Sequence, residues 1–331
     1  MTGGLYDVTI IGAGPVGLFG AFYAGLRGMK TKIIDSLSEP GGQLAALYPD
    51  KYIYDMPGFP EVLARDLARA MERQASRFRP TIILEERAET LTREGDAWCI
   101  GTSAGREHLT KTLIISAGAG AFTPRKVVAE GIEDFEGRGV YYGVKDKSLF
   151  EDKRLLIVGG GDSAVDWALM LEPLASEITL IHRRDEFRAH EQSLAILRNS
   201  QVKMVTPFEL KAVDGDGALQ YATIFHNKTQ EERRLALDAV IINVGFMATL
   251  GPIKQWGLAL QGNSIVVSDH MRTNLEGVYA AGDVCTYLGK LKLIATGVGE
   301  ICTAVNHAKQ YIDPDAKLFP GHSSDMDLPA L

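Results

Sequence analysis

Two glycine fingerprints, each set between an apolar strand and a helix, leave this chain few folds to choose from. Residues Leu5 to Ile11 read L-Y-D-V-T-I-I, apolar and β-branched enough for a buried parallel strand, and G-A-G-P-V-G follows at once. In that loop Gly12 makes the tight turn, Gly14 lets the backbone approach a pyrophosphate beside Pro15, and Gly17 allows the next helix to pack closely. The helix N-terminus adds free N–H groups and a partial positive charge. A second strand, T-K-I-I-D, ends in Asp35, placed to accept hydrogen bonds from the adenosine ribose hydroxyls. Strand, turn, helix, strand and acid in that order predict a dinucleotide site.

The pattern then repeats. Leu155 to Val158 form another apolar strand, followed by Gly159-Gly160-Gly161-Asp162-Ser163-Ala164, a G-x-G-x-x-A variant. A helix, A-V-D-W-A-L-M-L, is expected to run to about Leu174. The next strand, I-T-L-I, ends in His182-Arg183-Arg184 where the first unit carries its acid. An acid at this strand end favours a free 2′-hydroxyl, whereas guanidinium groups pair with a phosphate through charge-assisted bonds. Arg183, Arg184 and Arg188 therefore read as a 2′-phosphate clamp, and the second nucleotide is expected to be NADP, with Gly159, Gly161, Asp162, Ser163 and Ala164 against it. The bland alternative is a solvated basic strand end.

A chain of 331 residues has room for two such modules, at a prior of about 150 residues per domain. The expected fold class is α/β: two Rossmann-like three-layer ββα dinucleotide-binding domains, the NADP domain inserted in the FAD domain. Ala117-Gly118-Ala119-Gly120 and A-V-I-I-N-V-G-F, at 239 to 246, are the expected crossings, which assigns 1–118 and 246–331 to the FAD domain and 119–245 to the NADP domain. An insert tied at two strands can swing about them. Between the fingerprints, R-D-L-A-R-A-M-E-R-Q-A-S-R-F has helical period, and the alternation in Ala97 to Thr102 suggests a β-meander. After the return, Gly277 to Val284 run a strand into Gly282-Asp283, and A-T-G-V-G-E-I-C-T-A-V-N-H-A reads as a helix. The proline-containing tail reads as frayed.

The net charge of −7 argues against nucleic acid as the main partner. No apolar run approaches the roughly 20 residues that span a bilayer, and the first residues lack the features of a signal peptide, so the expected compartment is the cytoplasm. Cys99, Cys285 and Cys302 stand at neither Cys-x-x-C nor zinc-ligand spacing. They are expected to be buried hydrophobes, and no metal site is expected.

With both fingerprints, H-R-R-D-E-F-R-A and A-A-G-D-V in this order, the whole chain resembles the thioredoxin-reductase-like flavoenzymes. There a Cys-x-x-C precedes the second fingerprint; by position those cysteines would fall on Gly143 and Asp146 of the stretch Y-G-V-K-D-K, and neither residue can do thiol chemistry. Within that superfamily the sequence most closely resembles the ferredoxin/flavodoxin-NADP+ reductases, through G-G-Q-L-A-A-L-Y-P-D-K-Y-I-Y-D, G-G-G-D-S-A-V-D-W-A, L-G-P-I-K-Q-W-G-L and the tail H-S-S. The resemblance implies FAD contacts from Asp35, Gln43, Tyr48, Ala88, Phe122, Asp283 and Ser324. It implies that Tyr48 stacks on one face of the flavin ring and that His322 of the tail covers the other, in a homodimer whose tail lies over its own flavin or a partner's. It also implies the reaction: hydride transfer from NADPH to FAD, then one-electron steps out to ferredoxin or flavodoxin. The rival readings are a flavin reductase of the same fold with a quinone, disulfide or oxygen acceptor, and a non-catalytic FAD/NADP redox sensor.

Overall fold

A computed structural model describes the chain apart from residues 1–3, 119, 145, 327, 330 and 331 and the side chains of 121–124 and 246–248. It divides into two compact units, Met1–Phe122 with Ala248–Leu331, and Thr123–Met247.

In the first unit the fingerprint strand Tyr6–Ile11 lies between Thr31–Ile34 and Glu107–Ile115, all parallel, and Thr81–Ile83 extends the sheet beyond Thr31–Ile34. The long strand Glu107–Ile115 serves two partners. Its first half pairs antiparallel with Ala97–Thr102, which in turn pairs with Ala88–Glu94, and its last residues pair parallel with Val278–Ala280. That double use carries the chain's last strand back beside its first. Helices Pro15–Leu26, Ala64–Ser76 and Ile294–Ile312 contribute buried residues to one core together with the sheet, among them Leu18, Leu67, Ile301 and Val305. Each fully buried side chain of this kind is worth about 1.5–3 kcal/mol over leaving it exposed.

The second unit holds a five-stranded parallel sheet in the order Val140–Tyr141, Ala239–Ile242, Arg154–Val158, Glu177–Ile181, Lys203–Val205. Side chains alternate across it. Leu155, Ile157 and Leu180 pack with Ala164, Val165 and Leu171 of helix Asp162–Leu171, while Leu156, Val158 and Ile181 pack with Phe208, Leu210 and Ile224 of an antiparallel meander. The result is helix, sheet and meander in layers. The helix ends at Leu171, short of the expected Leu174, because Pro173 has no N–H to continue the ladder and restricts the residue before it.

Where two interior strands of this sheet begin, Asp238 accepts the Arg154 backbone N–H at 2.8 Å and its guanidinium at 2.9 and 3.1 Å. Those hydrogen bonds, more than the opposing burial, hold its carboxyl down to about 2 from the usual 3.8. A lowered folded value means that the stabilisation is present above the ordinary carboxylate range and is lost as pH falls toward 2. Both side chains are about a third or more exposed, so the pair is worth about 0.5–1 kcal/mol. Asp238→Asn is expected to lower the melting temperature by roughly 1–4 °C at pH 7. The difference from the parent should close between pH 4 and pH 2, as a thermal scan at each pH would read.

Candidate functional site

The first cradle is built by close backbone approach. Gly12 has φ +109°, and a Cβ there would stand 2.5 Å from the Ser116 carbonyl oxygen. At Gly17 a Cβ would lie 1.9 Å from the Gly12 carbonyl oxygen, so the helix can meet the turn only as glycine. Gly14 differs: the nearest atom to a Cβ there is the Gly42 Cα, 3.9 Å away. It stands at the N-cap of helix Pro15–Leu26, which has Pro15 in its first turn and no side-chain cap. An uncapped N-terminus beside an open glycine is suited to an anion.

Asp35 follows its strand directly and ties this turn down. Its Oδ2 accepts the Ala13 N–H at 2.5 Å and its Oδ1 the Leu37 N–H at 2.8 Å. Burial pushes the carboxyl up, against these hydrogen bonds. A carboxylate has about four acceptor positions, so two remain for hydroxyl donors. A second glycine pair then crosses the first. The Gly41 N–H donates to the Ala13 carbonyl at 2.8 Å, and a Cβ on Gly42, at φ +57°, would meet the Gly14 Cα at 2.9 Å. Gln43 begins the short helix that follows, with its amide nitrogen 3.2 Å from where a side chain on Gly118 would start.

Residues far apart in sequence complete this end. Burial first, then the Asp283 and Asp55 carboxylates, raise the Tyr48 phenol, so Tyr48 and Asp283 share one electrostatic neighbourhood. The Gly282 turn, at φ +82°, lies against Val16 of the fingerprint helix, and so does Gly297 in the first turn of Ile294–Ile312. Glycine loops, Tyr48, Asp283 and two helix N-termini are thus brought together. Ala88 is buried and paired with Thr102 in the sheet, so its methyl packs inside. Phe122 lies on strand Ala121–Pro124 with its side chain outside the described residues. His322 and Ser324 are exposed and make their contacts within the tail, His322 against the Phe319 ring at 5.3 Å and Ser324 with Asp325. Among the described residues neither has a ring contact or side-chain hydrogen bond with Tyr48.

The second cradle repeats the logic in the other unit. A Cβ on Gly159 would stand 2.3 Å from the Asn243 carbonyl oxygen and 2.9 Å from the Ala164 Cβ. Gly161, at the N-cap of helix Asp162–Leu171, has nothing within 4 Å. Gly160, a free position in the motif, proves constrained, since a Cβ there would sit 2.4 Å from the His182 ring. Ser163 is exposed in the first turn, whereas Ala164 is buried. The Asp162 carboxylate accepts the His190 N–H at 2.8 Å, and the Arg188 N–H donates to the Gly160 carbonyl at 2.7 Å, which sets Arg188 beside the glycine loop. Burial and the charges of Arg183, Arg184 and Arg188 all lower the His182 imidazole. All three arginines are exposed, and among the described residues none of their guanidinium groups is in an ion pair. Three unneutralised guanidiniums beside an open glycine at a helix N-terminus suit a phosphate.

The stretch Y-G-V-K-D-K has a structural use instead of a thiol. Gly143 faces open space, and Asp146 caps the turn Lys147–Phe150 by accepting from the Ser148 N–H at 2.9 Å and hydroxyl at 2.7 Å. Cys99, Cys285 and Cys302 are free, and burial pushes their thiols up to about 11, 12 and 11. Thiolate is therefore scarce at neutral pH. Among the described residues no group of three or more His, Cys, Asp or Glu is disposed to hold a metal ion, and no helix is long and apolar enough to cross a membrane.

One feature of the site escaped the sequence reading: a buried Lys290–Glu300 pair behind Gly282. Both lie within ten residues of each other near the helix start, yet nothing in a lysine or glutamate at that spacing distinguishes a buried pair from a solvated one.

Comparison with known proteins agrees with two nucleotide cradles in one chain. The profile of the pyridine nucleotide-disulphide oxidoreductases matches residues 6–308. A ferredoxin–NADP reductase of Halalkalibacterium halodurans is 54% identical over 97% of this chain and 98% of its own length. A ferredoxin–NADP reductase of Thermus thermophilus is 54% identical over 98% of both. Among solved structures, the thioredoxin reductase of Lactococcus lactis superposes with a TM-score of 0.76 at 30% identity, over 93% of this chain and 99% of that one.

Proposed function

We infer the function from one premise: the chain belongs to the pyridine nucleotide-disulphide oxidoreductases and, within them, to the ferredoxin–NADP reductases of the thioredoxin-reductase-like type. It is a flavoenzyme that uses FAD and NADPH and passes electrons between NADPH and ferredoxin. Bound FAD supplies the chemistry that side chains lack, taking a hydride and releasing electrons singly.

The chain's own residues bind and orient. We assign the first cradle to FAD: Gly12, Gly14, Pro15 and Gly17 at the pyrophosphate, Asp35 at the adenosine ribose, and Gln43, Tyr48, Ala88, Phe122 and Asp283 along the rest, with Tyr48 against the ring. We assign the second to NADPH, with Gly159, Gly161, Asp162, Ser163 and Ala164 at the pyrophosphate and Arg183, Arg184 and Arg188 at the 2′-phosphate. The observation that carries this pairing is the contrast between the two strand ends, a partly buried carboxylate at one and, at the other, three exposed guanidiniums with no ion pair among the described residues. His322 and Ser324 belong in this scheme to a tail that covers the flavin of a partner subunit in a homodimer. Flavodoxin is a second one-electron partner of the same class, and the cytoplasm is the compartment in which both cradles would meet their ligands. An acidic protein partner would be drawn by local basic surface despite the net charge of −7, so rates should fall with salt.

The purified protein is expected to be yellow and to oxidise NADPH much faster than NADH with ferredoxin present. Cys285→Ser and Cys302→Ser should keep full activity, because neither thiol ionises readily. A steady-state comparison of ferredoxin, flavodoxin, quinone and disulfide acceptors reads the choice of partner. Faster turnover with a disulfide, abolished by either serine, would sink the one-electron assignment. Bound flavin with negligible turnover on every acceptor would favour a sensor.

A further inference from the structure

Behind the Gly282–Asp283 turn lies a charged cluster that none of the assigned contacts uses. Glu300 sits on helix Ile294–Ile312 and Lys290 on the loop before it, and each side chain is 5% exposed. The Lys290 Nζ donates to both Glu300 oxygens, at 2.5 and 2.6 Å, and the Tyr287 hydroxyl donates to Oε1 at 2.7 Å. Two further bonds reach Oε2: the Cys285 thiol donates at 3.6 Å and, the informative one, the Gly282 backbone N–H donates at 2.8 Å.

The topology explains why that N–H needs a side chain. Strand Val278–Ala280 pairs with Leu113–Ile115, and the Ala281 N–H makes the last bond to this neighbour, at the Ile115 carbonyl. One residue later Gly282 turns out of the sheet at φ +82°, still buried, and its donor has lost the ladder. A buried donor left without an acceptor is destabilising. An apolar helix could not supply the acceptor, and a lone carboxylate there would be an uncompensated buried charge. Lys290 and Tyr287 supply the compensation, the ammonium and the hydroxyl both donating to Glu300. Asp283, which shares its surroundings with Tyr48, is the next residue along the chain.

We propose that Glu300 is a positioning residue for the FAD site. Through the Gly282 N–H it fixes the turn that aims Asp283, and Lys290 with Tyr287 holds Glu300 in place. This rests on the assignment of Asp283 to FAD. The cluster differs from an ordinary buried ion pair in its requirement for an acceptor at Oε2, whatever its charge.

Three variants separate the two roles, read by FAD titration of apoprotein and by its thermal midpoint without FAD. Lys290→Met with Glu300→Leu removes both charges and the acceptor. Its apoprotein should melt below the parent's, because the buried Gly282 N–H then has no acceptor, while FAD binding weakens tenfold or more. Lys290→Met with Glu300→Gln removes both charges but keeps an amide oxygen, and should bind FAD within about threefold of the parent. Glu300→Asp keeps the charge and withdraws the acceptor by one methylene. It should weaken FAD binding tenfold, and it decides the matter alone where the leucine variant gives no folded apoprotein by circular dichroism. Parent-like FAD affinity in the leucine variant, or in Glu300→Asp, overturns the proposal. Failure of the parent apoprotein itself to bind FAD overturns the cofactor assignment instead.

Discussion

Replacing Arg183 and Arg184 together by alanine is expected to raise the KM for NADPH by about 30- to 1000-fold and to leave the KM for NADH nearly unchanged. A hydrogen bond to a charged group is worth about 1.5–3 kcal/mol, and exposure of both side chains places the pair toward the low end, near 2–4 kcal/mol in total. The substitution should not disturb the fold, because both side chains are exposed and, among the described residues, neither takes part in an ion pair. The same exposure keeps the guanidiniums unneutralised until a phosphate arrives. The kcat for NADPH should stay within a few fold, since a 2′-phosphate is remote from the hydride and its contacts are shared by ground and transition states. A variant that lost NADPH and NADH turnover alike would place these arginines in the structure of the loop and not in recognition. Adding Arg188→Ala should weaken NADPH further, although its backbone bond to Gly160 means that only the side chain is lost.

The sequence disclosed the parts of the fold that backbone sterics impose. Gly12, Gly17 and Gly159 lie where a side chain would meet a carbonyl oxygen at 1.9–2.5 Å, and such positions leave a fixed mark at fixed spacing. The two apolar strands that precede them are buried on both faces, so they read as continuous hydrophobic runs. Asp35 was visible because its strand is followed at once by an acid, and the structure adds that this acid also braces Ala13.

Other features depend on partners that are remote in sequence. The three-layer ββα class implied a second β layer in this unit, but the residues that form it, Phe208–Asp214, Tyr221–His226 and Glu232–Ala236, were not identified, although F-E-L-K-A-V alternates and G-D-G marks a turn after it. Buried charge was the larger omission. Lys32, His108 and Glu86 are each about 1% exposed, with Lys32 Nζ 3.0 Å from His108 Nδ1 and His108 Nε2 3.3 Å from Glu86. Composition places such residues on the surface, and only the sheet pairing of 32 with 81 and of 100 with 108 gathers them inside. The tail shows the opposite limit. His322 and Ser324 were named through resemblance alone, and among the described residues His322 meets the Phe319 ring and Ser324 meets Asp325, both in the tail.

The sharpest contrast within one motif is between Gly17 and Gly14. Gly17→Ala is expected to lower the stability of the apoprotein by about 3 kcal/mol or more, because the new methyl would meet the Gly12 carbonyl oxygen at 1.9 Å and the Ser116 hydroxyl at 2.8 Å. The first contact is with backbone already held at φ +109° and pinned through Ala13 to Asp35, so it has nowhere to retreat. A loss of that size lowers the melting temperature by roughly 6–12 °C in a unit of this length. Gly14→Ala should leave the apoprotein's midpoint almost unmoved, since the nearest protein atom is 3.9 Å from the added carbon. Its cost should appear on ligand addition, as a loss of FAD affinity of at least tenfold, because the methyl occupies the space where a pyrophosphate approaches the backbone. Thermal scans without FAD and fluorescence titrations with it read the two effects separately. Equal apoprotein midpoints for the two variants would contradict the steric assignment, and parent-like FAD affinity in Gly14→Ala would remove the pyrophosphate from this loop.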